Sequence, residues 1–385
     1  MTGRHVSPDE ALLRACRQVA GDVLARTEEL AKIPAPPLDE ADRIARVRQW
    51  WRDDELQVTS QPVGNLWAPL RTGAGSSRPA LVIAAHLDTV FGREVPHGLS
   101  RRPDGILTGP GCGDDTVAVA ALSALDRLLP AALDCPVWIV ATVGEEGLGN
   151  LAGARAALAD PPVPVGAFLA LEGNYLGRVN TVGVGSERRR VRISTAGGHA
   201  WEAADAPSAV HAAAEIVRAI DEVPLTHPAK TSRNVGLLAG GESINSRARH
   251  AQFDLDLRSE AAAALAELTE AVDRILRADR PGVTVEVQPL GSRPAGSIDQ
   301  RHPLVVAAAD ALQEMGIRPR FTAASTDANV AYQRDIPAVT VGITYGDGTH
   351  TEKEWIDPDA IFRGLYALTR TIVTSAHSPR VEPTP

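Results

Sequence analysis

Four apolar runs in this chain each end at, or shortly before, an acidic residue or a histidine. Leu81-Val82-Ile83-Ala84-Ala85 meets His86, and Val137-Trp138-Ile139-Val140-Ala141-Thr142-Val143 leads to Glu145 and Glu146. Ala167-Phe168-Leu169-Ala170-Leu171 meets Glu172, and Ala338-Val339-Thr340-Val341-Gly342 lies ahead of His350. Runs this short, without polar alternation, read as strands buried on both faces. Such strands imply a largely parallel sheet covered by helices. Open α/β sheets gather their ligands at the carboxyl ends of the strands. The expected fold is therefore α/β, with the chemistry at one edge of a mixed, largely parallel sheet.

A length of 385 residues suggests two domains. The formal net charge of −9 argues against a nucleic-acid partner, because phosphate binding needs a basic surface. The basic run Arg188-Arg189-Arg190-Val191-Arg192 reads as solvated strand faces. Cysteine occurs only at Cys16, Cys112 and Cys135, which gives no disulfide framework and points to a reducing, cytoplasmic setting. Charges interrupt the N-terminal apolar residues every few positions, so that segment reads as an amphipathic helix rather than a signal peptide. No stretch is long and apolar enough to span a bilayer.

The first helix is expected over residues 7–32, with Ser7 as N-cap, Pro8 at the first helical position and Glu10 completing a capping box. A second is expected over 40–51, and a third over 116–129. The middle of the chain changes character. Residues 187–195 alternate as a strand, 207–220 read as a helix, 234–238 and 251–257 as strands, 261–277 as a helix and 283–287 as a strand. In the second of these strands Phe253, Leu255 and Leu257 alternate with Asp254 and Asp256. The order β-α-β-β-α-β is that of a ferredoxin-like unit. It would interrupt a first domain of residues 1–184 and 291–385 with an insert of residues 185–290. A helix over 302–315 follows, and residues 378–385 read as a disordered tail.

The charged residues at the run ends are metal-ligand types. His86 is a candidate ligand or, alone, a core histidine at a strand end. Asp88, two residues on, could hold the second ring nitrogen of His86 and so fix its tautomer. Asp114 and Asp115 follow Gly109, Gly111 and Gly113, and either could turn toward a metal or cap the next helix. Glu145 and Glu146 point in different directions from a strand end, so one could bind a metal while the other faces water. Two imidazoles and three carboxylates suffice to hold two divalent cations.

The order and spacing of these motifs, from Leu81 to Trp355, resemble the M20 family of metallopeptidases, which includes glutamate carboxypeptidases, aminoacylases and peptidase T. The resemblance implies a zinc-peptidase-like catalytic domain with an inserted lid and dimerisation domain. It implies His86, Asp114, Glu146, Glu172 and His350 as metal ligands, with Asp114 as the bridge, Glu172 sharing a metal with His86, and His350 sharing the other with Glu146. Glu145 would be the general base that activates a bridging water. Gly198-His199-Ala200 resembles a family motif whose histidine reaches the partner subunit's site and polarises the scissile carbonyl. Asn245 and Arg258 resemble residues that bind a substrate carboxylate, though Arg258 could equally be a surface ion-pair residue. Ser325-Thr326-Asp327-Ala328-Asn329 resembles a loop near the substrate, or an N-cap.

The implied activity is hydrolysis of an amide bond in a small peptide or N-acyl amino acid by a homodimer. The implied cofactors are two divalent metal ions, zinc first, with manganese and cobalt also suited to oxygen-rich ligands. The alternatives are another C–N hydrolase, such as an N-carbamoyl-amino-acid hydrolase, and an inactive metal-binding homologue. The presence of Glu145 argues against the last.

Overall fold

The computed structural model describes residues 9–73 and 76–377. The chain divides into two compact units. One comprises the residues up to Val182 together with those from Ser297 onward, and the other is Gly183–Gly296.

The main strands of the first unit are β1 (Leu66–Arg71), β2 (Ala80–His86), β3 (Val137–Thr142), β4 (Val165–Leu171), β5 (Arg178–Gly183) and β6 (Ala338–Val341). They lie side by side in the order β1-β3-β2-β4-β6-β5. The central four, β3, β2, β4 and β6, are parallel, while β1 and β5 flank them antiparallel. Ile83 stands opposite Ile139 on one side and Leu169 on the other.

Strand β2 shows why the runs lack alternation. Leu81, Ile83 and Ala85 share a core with Val23 and Leu30 of α1 (Glu10–Leu30), Val117 of α3 (Val117–Leu122) and Ile372 of the C-terminal helix. Val82 and Ala84 face the opposite way, into a core with Ala154, Ala157 and Leu158 of α4 (Ala152–Ala159) and Val330 and Ala331. Both faces are covered, so both sets of side chains are apolar. The other helices of this unit are α2 (Ala41–Asp53), α5 (Pro303–Glu314), α6 (Ala328–Gln333) and α7 (Ile361–His377).

Helix α1 is capped by Asp9, whose carboxylate accepts from Ala11 N and Leu12 N at 2.9 and 3.1 Å. Ser7 and Pro8, and the tail at 378–385, lie outside the described residues. The single helix expected over 116–129 is broken into a π turn at Cys112–Thr116, α3, and a 3-10 turn at Ser123–Arg127. Pro130 has no N–H to continue the helix, and Arg71 caps the carbonyls left free at the far end, donating to Asp126 O, Leu129 O and Pro130 O at 2.6–2.7 Å.

In the second unit, strands Thr231–Gly240, His250–Ser259, Gly185–Thr195 and Val283–Arg293 lie antiparallel in that order. Helices Ala209–Asp221 and Ala262–Arg277 cover one face. Val191, Ile193, Phe253, Leu255 and Leu257 pack there with Ile216, Leu268 and Val272. The topology is ferredoxin-like. The last strand runs past the expected end at 287 because a bulge between Pro289 and Gly291 lets pairing resume after the proline. Within the arginine run, Arg190 makes two hydrogen bonds to Asp254 and Arg189 pairs with Asp273. These arginines hold the unit together rather than merely facing water. Among the described residues no helix is long and apolar enough to cross a membrane.

Gly364 shows how tightly α7 packs. A Cβ at this position would lie 1.8 Å from Ile343 O, a backbone atom that cannot step aside. Gly364→Ala is expected to destabilise the protein by roughly 1–3 kcal/mol. Gly21→Ala, at an exposed position of helix α1 with nothing within 4 Å of the new methyl group, should instead stabilise it by about 1 kcal/mol. Urea denaturation of the two variants checks both signs.

Candidate metal centre

Because β3, β2 and β4 are parallel neighbours, their final residues and the loops after them share one edge of the sheet. His86, Glu145, Glu146, Glu172 and Asp114 are all buried there. Asp114 lies between two imidazoles. Its Oδ1 is 2.9 Å from His86 Nε2, and its Oδ2 is 3.2 Å from His350 Nε2. His350 Nε2 is also 3.0 Å from Glu146 Oε1. Three sets of donor atoms each gather within 4.8 Å: His86, Asp114 and Glu172; Asp114, Glu146 and His350; and His86, Glu145 and Glu146.

The loop that carries Asp114 is held from outside. Glu354 is fully buried, and its carboxylate accepts from Gly111 N, Gly113 N and Asp114 N at 3.1, 2.7 and 2.7 Å. Its backbone carbonyl accepts from Gly109 N at 2.9 Å. The approach requires glycine at position 113, where a Cβ would lie 2.7 Å from Asn174 Cβ. His350 itself adopts φ +66, the left-handed region.

Asp115, the competitor for the bridge, has another task. Its two oxygens accept from His86 N at 3.1 Å and Gly173 N at 2.8 Å. It thereby ties the ends of β2 and β4 together. Asp88 requires a correction too. His86 Nδ1 is held by the Asp88 backbone carbonyl at 3.0 Å, while the carboxylate is 3.5 Å away. That carboxylate accepts from Glu145 N and Glu146 N at 3.0 and 2.8 Å. Asp88 therefore sets the backbone that presents the two glutamates. It still fixes the His86 ring, but through its main chain.

Arg43, which sequence reasoning missed, is fully buried near this edge. It donates to Ile33 O, Leu87 O and Thr116 Oγ1 at 2.8, 3.1 and 3.2 Å, and its Nη2 has no partner. Burial pulls its pKa down to about 10 against the opposing charge of Asp88. A signal existed. Arg43 shares the buried face of α2 with Val47 and Trp50, at the spacing of core residues.

The electrostatics show a site short of positive charge. Burial, then the charge of Asp114, pushes Glu146 up to about 7. Burial and the charges of Asp114 and Asp115 push Glu172 well above the usual carboxylate range. Hydrogen bonds to Asp114 and Glu146 raise His350 to about 10. Burial opposes the charged form of His86, yet the hydrogen bond to Asp114 and the nearby carboxylates of Asp88 and Asp115 still raise it well above its ordinary value. Protons are taking the place of cations. Donors held around one ion at about 2.1 Å sit roughly 3.4 Å apart in a tetrahedron, which is the scale of the spacings here. The residues present fit two divalent ions, with one oxygen of Asp114 turned toward each histidine.

The remaining candidates divide. In the second unit, His199 pairs with Ser246 and Ala200 N donates to Asn245 O at 2.8 Å, so the loops of His199 and Asn245 lie together. Arg258 does not join them. It sits near the far end of strand His250–Ser259, on the order of 25 Å from its start. Its Nε donates to Asp256 at 2.9 Å, so the guanidinium is engaged by a carboxylate of its own strand. Asn329 is fully buried and its side-chain oxygen accepts from Thr326 N at 2.9 Å. It closes the turn at the start of α6.

A family model described as peptidase family M20/M25/M40 matches residues 82–374. The chain belongs to this family. Aminopeptidase PepT from Bacillus cereus has a similar fold, with a TM-score of 0.74 at 20% identity over 93% of this chain and 99% of that one. The YXEP protein of Bacillus subtilis, described as a dinuclear metal-binding M20 peptidase, gives 0.68 at 18% over 94% and 99%. A hydantoinase/carbamoylase-family amidase from Burkholderia multivorans gives 0.65 at 18% over 97% and 100%. No curated protein sequence matches the chain.

The Glu354 clamp yields a test specific to this M20 chain. Glu354→Ala leaves three buried amides without an acceptor and frees the Asp114 loop. Metal affinity is expected to fall roughly 10–100-fold, measured by competition with a chromogenic chelator. Unchanged affinity in a folded variant would mean that the loop holds its shape without the clamp.

Proposed function

We propose that this protein hydrolyses an amide bond in a small peptide or N-acyl amino acid, using two divalent cations held by His86, Asp114, Glu146, Glu172 and His350. The observation that carries the reading is the position of Asp114, with one carboxylate oxygen on each histidine and Glu146 on the second. Zinc suits the mixed imidazole and carboxylate donors, and manganese and cobalt share that chemistry.

Bound cations would polarise the scissile carbonyl and acidify water. The remaining chemistry falls to the chain. Glu145, presented by the Asp88 carboxylate, accepts a proton from the attacking water as the oxygen adds to the carbonyl carbon. It returns that proton to the amide nitrogen as the C–N bond breaks, so that a carboxylic acid and an amine leave. An N-carbamoyl amino acid would meet the same groups. The likeness in fold to a carbamoylase-family amidase is the reason to assay it beside dipeptides and N-acyl amino acids. Three buried free cysteines suit a reducing, cytoplasmic setting.

Asp114→Ala is expected to lose both metals, because each ion loses an oxygen of the bridge. Glu145→Gln should keep its metals and its KM while kcat falls by at least about 10²-fold. Elemental analysis and steady-state kinetics decide between these outcomes and a base elsewhere.

The same proposal includes a homodimer built through the inserted unit, with His199 and Asn245 serving the partner's site. In support, His199 is exposed on a short strand, Gly198–His199, paired with Ser246–Arg247. Thr231–Gly240 is an edge strand of its unit's sheet with Leu237 and Leu238 exposed. Edge strands of this kind pair readily with a second copy. His199→Ala and Glu145→Gln should each be nearly inactive alone. Mixed and allowed to exchange subunits, they should regain activity, since one composite site then has both residues. No recovery after proven exchange would place His199 in its own subunit's site or outside the reaction.

A further inference from the structure

One buried carboxyl group near Glu145 has no part in this chemistry. Asp327, at the start of α6, is 4% exposed, and its Oδ2 lies 2.6 Å from Thr142 Oγ1 at the end of β3. Its Oδ1 is buried without a hydrogen-bond partner. Thr142 Oγ1 also lies 3.2 Å from Ala85 O, the backbone carbonyl just before His86. The charged groups that act on Asp327 are Glu145 from the loop after β3, His86 from the end of β2, and Asp88.

A threonine hydroxyl has one hydrogen. If Asp327 were ionised, its oxygen and Ala85 O would compete for that hydrogen, and one contact would be between lone pairs. A proton on Asp327 removes the conflict. Its O–H then donates to Thr142 Oγ1, and the Thr142 hydroxyl donates to Ala85 O. The bare Oδ1 becomes the carbonyl oxygen of a neutral acid, which tolerates burial far better than half of an unpaired carboxylate. An ionised Asp327 would also set a second negative charge near Glu145 with no cation paired to it. Burial, then the charge of Glu145, pushes the group in the same direction, up to about 7.

We propose that Asp327 is held as a neutral carboxylic acid and acts as a positioning residue for Glu145. Its proton completes the relay Asp327–Thr142–Ala85, which locks the end of β3 to the end of β2. Glu145 and His86 project from those two ends. This role rests on reading Glu145 as the base, whereas the protonation state does not.

Two measurements on the metal-loaded protein separate these claims. Infrared difference spectra between wild type and Asp327→Asn, taken at pH 6, report protonation without any turnover. The expected loss is a protonated-carboxyl C=O band, and loss of an ionised carboxylate band would overturn the neutral state. Kinetics tests the role. Asp327→Asn keeps the shape and an N–H donor toward Thr142, so only a few-fold loss of kcat is expected, with KM unchanged. A loss as large as that of Asp327→Ala would overturn the reading that a neutral donor is what Thr142 requires. Asp327→Ala and Thr142→Val break the relay. Each is expected to lose roughly 10–100-fold in kcat with KM little changed. Wild-type kcat in both folded variants would overturn the positioning role. If Asp327→Ala does not fold, Thr142→Val and the asparagine variant carry the test.

Discussion

The structure is organised around a surplus of buried negative charge. Asp88, Asp114, Asp115, Glu145, Glu146, Glu172, Asp327 and Glu354 are all buried in the first unit, along with His86 and Arg43. A bare carboxylate in such a place costs several kcal/mol unless something answers it. Two answers are visible. Asp88, Asp115 and Glu354 turn to backbone N–H groups and take two or three each. Asp114, Glu146 and Glu172 turn toward imidazoles and toward one another, where divalent ions fit. The first set builds the loops. The second set uses them.

That division explains what could be read from the sequence. The strands were legible because both faces of the sheet are covered, which forces continuous apolar runs. The ligand types were legible because parallel strands bring their carboxyl ends to one edge, so a polar residue closing such a run has few other reasons to be there. The insert was legible from the alternation of Phe253, Leu255 and Leu257, which is what one covered face and one open face require. The break-up of the helix expected after Thr116 was not. The carbonyls left free at its end are capped by Arg71, a partner distant in sequence that local spacing does not show.

Within the site, one ambiguity runs through the carboxylates. Asp88, Asp115 and Glu354 are the same residue types as the ligands, and sequence cannot tell a carboxylate that faces amides from one that faces a cation. The difference lies in a few ångströms of loop path. Asp115 was separated from Asp114 by the resemblance to a family, and the geometry supplies the physical reason, since its oxygens are occupied by His86 N and Gly173 N. Arg258 and Asn329 carry the complementary ambiguity. Their local partners, Asp256 and Thr326, lie two or three residues away and satisfy them within their own loop or strand. A short-range partner makes a polar residue structural, and spacing alone does not reveal it.

The two sets of carboxylates also respond differently to a metal. Those bonded to amides gain their partners when the chain folds, with or without an ion. Those around Asp114 have one another and the imidazoles as partners, so a bound cation would relieve more of their mutual repulsion. The free energy of metal binding is therefore coupled to folding through Asp114, Glu146 and Glu172, and much less through Asp88, Asp115 and Glu354. A protein built this way can keep its sheet and loops in the right places before the metals arrive, because the groups that set the loop paths do not wait for them. Asp327 extends the logic one step back from the site. A carboxyl group with neither amides nor a cation in reach is answered by keeping its proton, and it then serves as a donor where an ionised neighbour of Glu145 would only add to the surplus.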